Sequence, residues 1–336
     1  MKVFNNISLK ELNTFGIDVK AHCLVECENI TDIQTIAQHI GDGHALVLGG
    51  GSNMLFMNDF DGIVIHPRVG GIEIMNETEN EVIVRAGAGV VWDDFVLFAV
   101  EHNLYGVENL SGIPGCVGAS PVQNVGAYGA EAGQVICHVD GFILRSGKPF
   151  ALNGEDCQFG YRNSIFKNEL RGEAIVATVD YKLKKRAQFN LNYGLVKQKV
   201  EDLGGESLIN VRKAIIDIRN SKLPDPKKQG SAGSFFKNPE VTTEVANKIK
   251  SQYAQMPSFE LPNGMVKIPA GWLIEQAGWK GKSLGQAAVH QQQALVLVNN
   301  GQATGTDVMN LANAIRADVR KMFDISLEME VCLIQN

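Results

Sequence analysis

Nothing in this sequence approaches the roughly 18 consecutive apolar residues that a membrane-spanning helix needs. The N-terminal MKVFNNISLKELN lacks the apolar h-region of a secretory signal. Cys23, Cys27, Cys116, Cys137, Cys157 and Cys332 form no CxxC pair, so neither a zinc site nor a disulfide framework is expected. Positive charge is scarce as well. The net charge of −6 argues against a nucleic-acid partner. Lys184-Lys185-Arg186 is too short a run to reverse that and reads as a solvated strand end. Together these absences point to a reduced, cytoplasmic, soluble protein.

Several catalytic signatures are also missing. There is no GxGxxG, because Gly49-Gly50-Gly51-Ser52-Asn53-Met54 breaks at its last position, so a Rossmann-type dinucleotide site is unsupported. Gly281-Lys282-Ser283 resembles the end of a P-loop, but Gln276 stands where the upstream glycine belongs. No His-Glu pair at metal spacing occurs, and no metal is expected.

What is abundant is glycine, at 35 residues. The densest stretch, Leu110 to Ala132, reads LSGIPGCVGASPVQNVGAYGAEA, with Pro114 and Pro121 fixing its turns. The interleaved Ile113, Val117, Val122, Val125 and Tyr128 mark an ordered segment rather than a flexible linker. It is either a wall of backbone amides against a flat or phosphate-bearing ligand or a tightly turned loop between strands. Upstream, the strand Ala45 to Leu48 runs into Gly49-Gly50-Gly51-Ser52-Asn53, where consecutive N–H groups suit an anion nest.

The rest of the chain divides in two. Thr31 is expected to cap a helix with Gln34 in a capping box, its stripe Ile33, Ile36, Ala37 and Ile40 ending at Gly41. Short strands follow at Ile63–Ile65, Ile72–Met75 and Val82–Ala86, then a helix burying Trp92, Phe95, Val96, Ala99 and Val100. Further strands are expected at Val139–Leu144 and Ala174–Leu183, giving an α+β first half. Leu208, Val211, Ile215 and Ile218 mark a helix that must stop before Pro224, and Lys222 to Pro226 is the candidate linker. Beyond it, one helix carries Val241, Val245 and Ile249, and a second runs from Pro269 at its first position to Gly278. The strand Ala294–Val298 leads into a long helix from Val308 to Phe323. A final strand sets Leu327, Met329, Val331 and Leu333 on one face and Glu328, Glu330 and Cys332 on the other. This second half reads as a small α/β sandwich.

Three polar clusters complete the pattern: Tyr161 to Lys167, Gly230 to Pro239, and His290 to Gln293. With the two glycine segments, in this order over nearly the whole chain, they resemble the UDP-N-acetylenolpyruvoylglucosamine reductases (UDP-N-acetylmuramate dehydrogenases) of peptidoglycan precursor synthesis. The resemblance implies a two-lobed FAD-binding domain of the vanillyl-alcohol-oxidase type over residues 14–186. Connecting helices and a tyrosine loop follow at 187–221, an α/β substrate-binding domain at 222–325, and a strand carrying a glutamate at 326–336. It implies noncovalent FAD, NADPH as hydride donor, and a UDP-linked enolpyruvyl sugar reduced by a monomer.

By the same resemblance, Gly50, Gly51, Ser52 and Asn53 take the FAD pyrophosphate. Ser111, Gly112, Ile113, Pro114, Gly115, Gly118, Asn124, Gly126, Ala127 and Tyr128 line the flavin, with Arg219 reaching the cofactor. Ser234 matches the proton donor, Arg162 the residue that binds the substrate carboxylate and polarises the enolate, and Glu330 the glutamate near the C-terminus. Tyr193 and Lys222 match diphosphate contacts, and Asn238, Lys280 and Gln293 further polar contacts. The position two beyond Glu330 is often basic in that family but is Cys332 here, so a basic flavin or substrate contact is either missing or supplied from elsewhere, such as Arg219. The alternatives are a flavin oxidase of the same fold and a binding module without turnover. The oxidase would leave Ser234 and Lys222 without a role, and a binding module would have no reason to keep Arg162, Ser234 and Glu330 together.

Overall fold

The computed structural model describes residues 1–41 and 43–336. Its first half is built on two sheets joined by one helix. The first sheet has the order Lys2–Ser8, Lys20–Cys27, Phe60–Pro67, Ala45–Val47, its last two pairings parallel. The second is antiparallel, in the order Pro149–Asn153, Ile136–Ile143, Ala174–Lys184, Glu81–Gly87, Ile72–Glu77. The helix Ile30–His39 packs its predicted stripe Ile33, Ile36, Ala37 and Ile40 against both sheets, through Val25, Ile65, Phe142 and Ile175. Its cap differs from expectation. Asn29, not Thr31, accepts the N–H of Asp32, because Thr31 already lies inside the helical turn.

The strand Ala174–Lys184 shows why alternation alone misreads this region. Ile175 and Ala177 face the helix Ile30–His39, whereas Val176, Val179, Tyr181 and Leu183 face a second core built around Trp92 and Phe95. The side-chain parity switches between Ala177 and Val179, beside the irregular register at Asp140 and Gly141. One extra residue sends every later side chain to the opposite face. On that second face the helix Trp92–Glu101 buries the five residues expected of it, and the Trp92 indole N–H donates to the Leu110 carbonyl at 2.9 Å. The glycine-rich stretch is thereby fastened to the core at its first residue.

In the second half the helix Leu208–Lys222 ends two residues before Pro224, as the proline requires. A four-stranded sheet, Gly230–Ser234, Val296–Asn299, Ala287–Val289, Ser283–Leu284, carries the long helix Gly305–Phe323 on one face. Three expectations shift. Val241 lies in the short strand Glu240–Val241 paired with Val266, and its helix begins only at Thr243. Pro269 is the N-cap of Ala270–Gln276, its ψ of 117° being extended. The final strand is confined to Cys332–Ile334, although Leu327 and Val331 are buried as the alternation requires.

The mixed helix and strand content is the expected α+β class. The C-terminal strand pairs in parallel with Met54–Phe56, the residues directly after the glycine turn. A single core accordingly joins Phe15, Leu48, Leu55 and Phe56 to Phe235, Leu273, Leu311 and Val331.

Candidate active site

Three separate stretches converge on the amide of Asn53. Its Nδ2 donates to Gln123 Oε1 at 2.5 Å and to the Glu330 carbonyl at 3.2 Å, and its own carbonyl accepts the Cys332 N–H at 3.0 Å. One side chain therefore fixes the first glycine turn against both the glycine-rich stretch and the C-terminal segment. The two glycine segments also touch backbone to backbone, since a Cβ on Gly50 would sit 2.8 Å from Gly115 Cα. Gly51 has φ +59°, and a Cβ there would lie 2.0 Å from the Leu12 carbonyl oxygen. The Ser52 hydroxyl donates to Pro114 O at 3.1 Å.

These contacts wall a cavity of about 770 Å³, within the range of small-molecule and cofactor sites. Gly50, Gly51, Ser52, Asn53 and Gly118 line it, with Ala45, Val47, Pro67, Ala174 and Val176 along an apolar flank. Lys167, Lys237, Glu328, Glu330 and Cys332 line a charged one. Among the described residues, the N–H groups of Gly50, Gly51, Ser52 and Asn53 meet no protein acceptor. Consecutive free amides form an anion-binding concavity.

The other expected cofactor residues form the structure behind this wall. The Ser111 hydroxyl is buried and donates to Glu108 O at 2.6 Å. Asn124 is 1% exposed, and its amide is engaged by Glu131, Gly160 and Gly133. Gly112 donates to Asp93 Oδ1 at 2.6 Å, and Arg212 clasps the same carboxylate. Arg219 donates from Nε to the Gly112 carbonyl at 3.1 Å, and burial lowers its pKa. None of these four lines the cavity, nor do Ile113, Pro114, Gly115, Gly126, Ala127 or Tyr128. Lys167 lines the cavity together with Cys332, Glu330 and Lys237.

Of the expected catalytic residues, Arg162 and Glu330 meet directly, with Nε 2.8 Å from Oε1. Arg162 has φ +53°, uncommon for a residue with a Cβ. Its Nη2 donates to the Gly126 carbonyl at 2.6 Å, and the Arg162 carbonyl accepts from Lys167 Nζ at 3.2 Å. The Nε of Arg162 is buried against Glu330. Burial raises the Glu330 pKa above the ordinary 4.5, with Arg162 and Lys167 opposing. Ser234 ends the strand Gly230–Ser234 beyond a register shift, with Gly233 at φ +68°. Such a bulge re-aims the side chain that follows it. The next residue, Phe235, accepts the Glu330 N–H at 2.9 Å, so Ser234 and Glu330 are held on adjoining backbone.

The expected substrate contacts are more scattered. Tyr193 is exposed, with its ring edge-on to Tyr128 at 5.8 Å. Lys222 is exposed in the last turn of its helix. Asn238 Oδ1 accepts the Ala270 N–H at 2.9 Å, capping the helix Ala270–Gln276 from outside. Lys280 pairs with Glu275 at 2.9 Å, and Gln293 Oε1 accepts the Leu295 N–H at 3.3 Å. A second cavity of about 340 Å³ is lined by His290, Gln291 and Gln292 and shares no residue with the first. Lys167 and Lys237 have no role in the sequence reading. Their signal was their place inside two of the polar clusters, the first beside Phe166 and the second after Phe236.

The cavity fits FAD on its own features: free amides for a pyrophosphate, a glycine approach that a Cβ would fill, and an apolar flank. The FAD binding domain model matches residues 21–147. The UDP-N-acetylenolpyruvoylglucosamine reductase C-terminal domain model matches residues 225–334. A UDP-N-acetylenolpyruvoylglucosamine reductase from Bacteroides fragilis is 48% identical, covering 97% of this chain and 98% of its own. One from Porphyromonas gingivalis is 44% identical over 98% and 99%, and one from Flavobacterium johnsoniae 42% over 99% and 100%. The crystal structure of the Thermus caldophilus UDP-N-acetylenolpyruvylglucosamine reductase matches the fold with a TM-score of 0.71, at 24% identity and full coverage of both chains. No helix among the described residues is long and apolar enough to cross a membrane. On the extent and identity of these matches, the chain belongs to the UDP-N-acetylenolpyruvoylglucosamine reductase family.

Proposed function

We propose that this chain reduces UDP-N-acetylglucosamine enolpyruvate to UDP-N-acetylmuramate, with FAD as its bound cofactor and NADPH as reductant, in peptidoglycan precursor synthesis. The observation that carries this reading is the Asn53 junction. It couples a phosphate-type amide nest in the cavity wall to Glu330, and through Glu330 to Arg162 behind it. When bound, FAD supplies two-electron chemistry, accepting hydride from NADPH and passing it to the enolpyruvyl C3. Gly50, Gly51, Ser52 and Asn53 are the residues that would hold its pyrophosphate.

The protein's own groups then have three tasks. Negative charge that develops at C2 and spreads into the substrate carboxylate is met by Arg162, whose guanidinium is pre-set by Gly126 and Glu330. Fixed donors of this kind need no reorganisation during the reaction. Ser234 delivers the proton to C2, a step in which a weakly acidic hydroxyl is adequate because an enolate is strongly basic. Glu330, with its pKa raised by burial, holds Arg162 in place and is fitted to exchange a proton in the same enclosure. Tyr193 and Lys222 meet the diphosphate from the exposed side, and Asn238, Lys280 and Gln293 form the polar surround of the sugar nucleotide. We further place the enzyme in the cytoplasm as a monomer without a nucleic-acid partner. The free cysteines suit a reducing compartment, and the net charge of −6 suits the absence of nucleic acid.

The test is a pair of anaerobic half-reactions. NADPH is expected to bleach the flavin of the purified holoenzyme, and the enolpyruvyl sugar nucleotide to recolour it. Recolouring by oxygen at a comparable rate, with none by the sugar nucleotide, would overturn the reading in favour of an oxidase.

A further inference from the structure

We propose that Lys167 is the cation that meets the negative charge of the bound flavin once it is reduced, and so raises its midpoint potential. The inference rests on the reductase reading above. Lys167 closes the short turn Ile165–Lys167 and lines the main cavity. Its ammonium has three donors, and the protein accepts one of them, at the Arg162 carbonyl. Lys237 and Arg162 oppose its charge and Glu330 favours it. Both carboxylates nearby are paired with other cations: Glu330 with Arg162 at 2.8 Å, and Glu328 with Lys237 at 3.3 Å. A half-buried ammonium beside two other cations is unfavourable unless an anion completes its shell. Burial lowers its pKa accordingly.

Position decides which anion that is. Of the cations in the lining, Lys237 is paired with Glu328, Arg316 donates to the Leu327 carbonyl and Arg171 is exposed, which leaves Lys167 to face the cofactor, while Arg162 and Ser234 lie outside the lining. The pyrophosphate already has the free amides of Gly50 to Asn53. Arg219 is directed at Gly112 and is outside the lining. The charge still without a partner is the one that appears when two electrons arrive as hydride and the flavin carries one proton fewer than its neutral reduced form. A fixed ammonium favours that anion over the oxidised ring, which shifts the equilibrium toward reduction.

The experiment is potentiometric titration of the FAD-loaded wild type, Lys167→Met and Lys167→Arg, with the FAD dissociation constant and the KM for the enolpyruvyl sugar nucleotide measured on each. For Lys167→Met the expected result is at least a tenfold loss of preference for reduced over oxidised flavin. That equals about 30 mV lower for a two-electron couple. Affinity for oxidised FAD should change little, and Lys167→Arg should stay near wild type. An unchanged potential overturns the proposal. If FAD affinity then falls in both redox states, Lys167 serves the pyrophosphate; if instead the KM rises tenfold, it serves the substrate carboxylate. Should Lys167→Met fail to fold, the reduced wild type decides. A flavin anion that persists as pH falls to about 6 supports the proposal, and one that protonates as free reduced flavin does overturns it. Because potentials need only FAD, failure of the sugar nucleotide to reoxidise the wild type would sink the reductase reading and leave this measurement intact.

Discussion

Ser234 and Glu330 sit on adjoining backbone yet are asked for different work, and single substitutions separate them. Ser234→Ala removes one hydroxyl at the end of a strand and leaves the amide nest untouched. Flavin reduction by NADPH is expected to keep its rate, while reoxidation by substrate slows by about 2.7–4 kcal/mol of barrier, as for loss of one preorganised donor. Stopped-flow traces of the two half-reactions check this, and equal slowing of both would rule it out. Glu330→Gln tests the carboxyl's environment through stability. The folded pKa is raised above the ordinary 4.5, so protonated Glu330 is the form the fold prefers. Relative to the Gln variant, the wild type should therefore be at its most stable below about pH 4.5. It should lose that advantage as pH rises through the folded pKa and level off above it. Urea unfolding of both proteins across pH 4 to 8 reads the difference, and an advantage that grows with pH contradicts the burial argument.

At the scale of elements, the two glycine segments work as a joint. Gly50 faces Gly115 at a spacing that leaves no room for a methyl group. Gly50→Ala is expected to push the segments apart and weaken FAD binding more than tenfold, with the protein still folded by circular dichroism. Gly51→Ala is a different case. It combines φ +59° with a 2.0 Å clash against Leu12 O, and should destabilise the fold by about 3 kcal/mol in urea titration. Unchanged FAD affinity in the first variant would mean the segments move independently. The element boundaries that sequence missed share a cause. Alternation assumes an unbroken ladder, and the parity switch in Ala174–Lys184 comes from pairing with a strand about forty residues away. Asn29 displaces Thr31 as cap because its backbone is still extended, with ψ 173°.

Taken whole, the molecule ties its ends together. The strand Cys332–Ile334 completes a pair with Met54–Phe56, and one core joins Leu9 and Phe15 to Phe323 and Val331. The helix Ile30–His39 carries that continuity to the second sheet. Cores shared in this way unfold as a unit. Calorimetry of the FAD-free protein is therefore expected to show one transition with equal calorimetric and van't Hoff enthalpies. Two resolved transitions would show that the halves are independent. Removing residues 332–336 should lower the midpoint and FAD affinity together, since Asn53 loses its contact with Cys332 as Leu55 and Phe56 lose their cover.

The sequence by itself determined what short-range chemistry controls. Glycine and proline spacing marked both turns, the amphipathic stripes marked the helices at Trp92, Leu208 and Val308, and motif order carried the family. Period-two alternation marked the burial of Leu327 and Val331, although the strand itself covers only Cys332–Ile334. Tertiary structure decided everything that depends on which distant backbones meet. Asn53 became the junction because its amide reaches both Gln123 and Glu330, residues 70 and 277 positions away. Lys167 became a cavity cation, and Arg219 a brace behind Gly112, because sequence spacing says what a side chain is but not what lies opposite it. A charge has one meaning in water and another in a half-buried wall, and only the fold chooses between them.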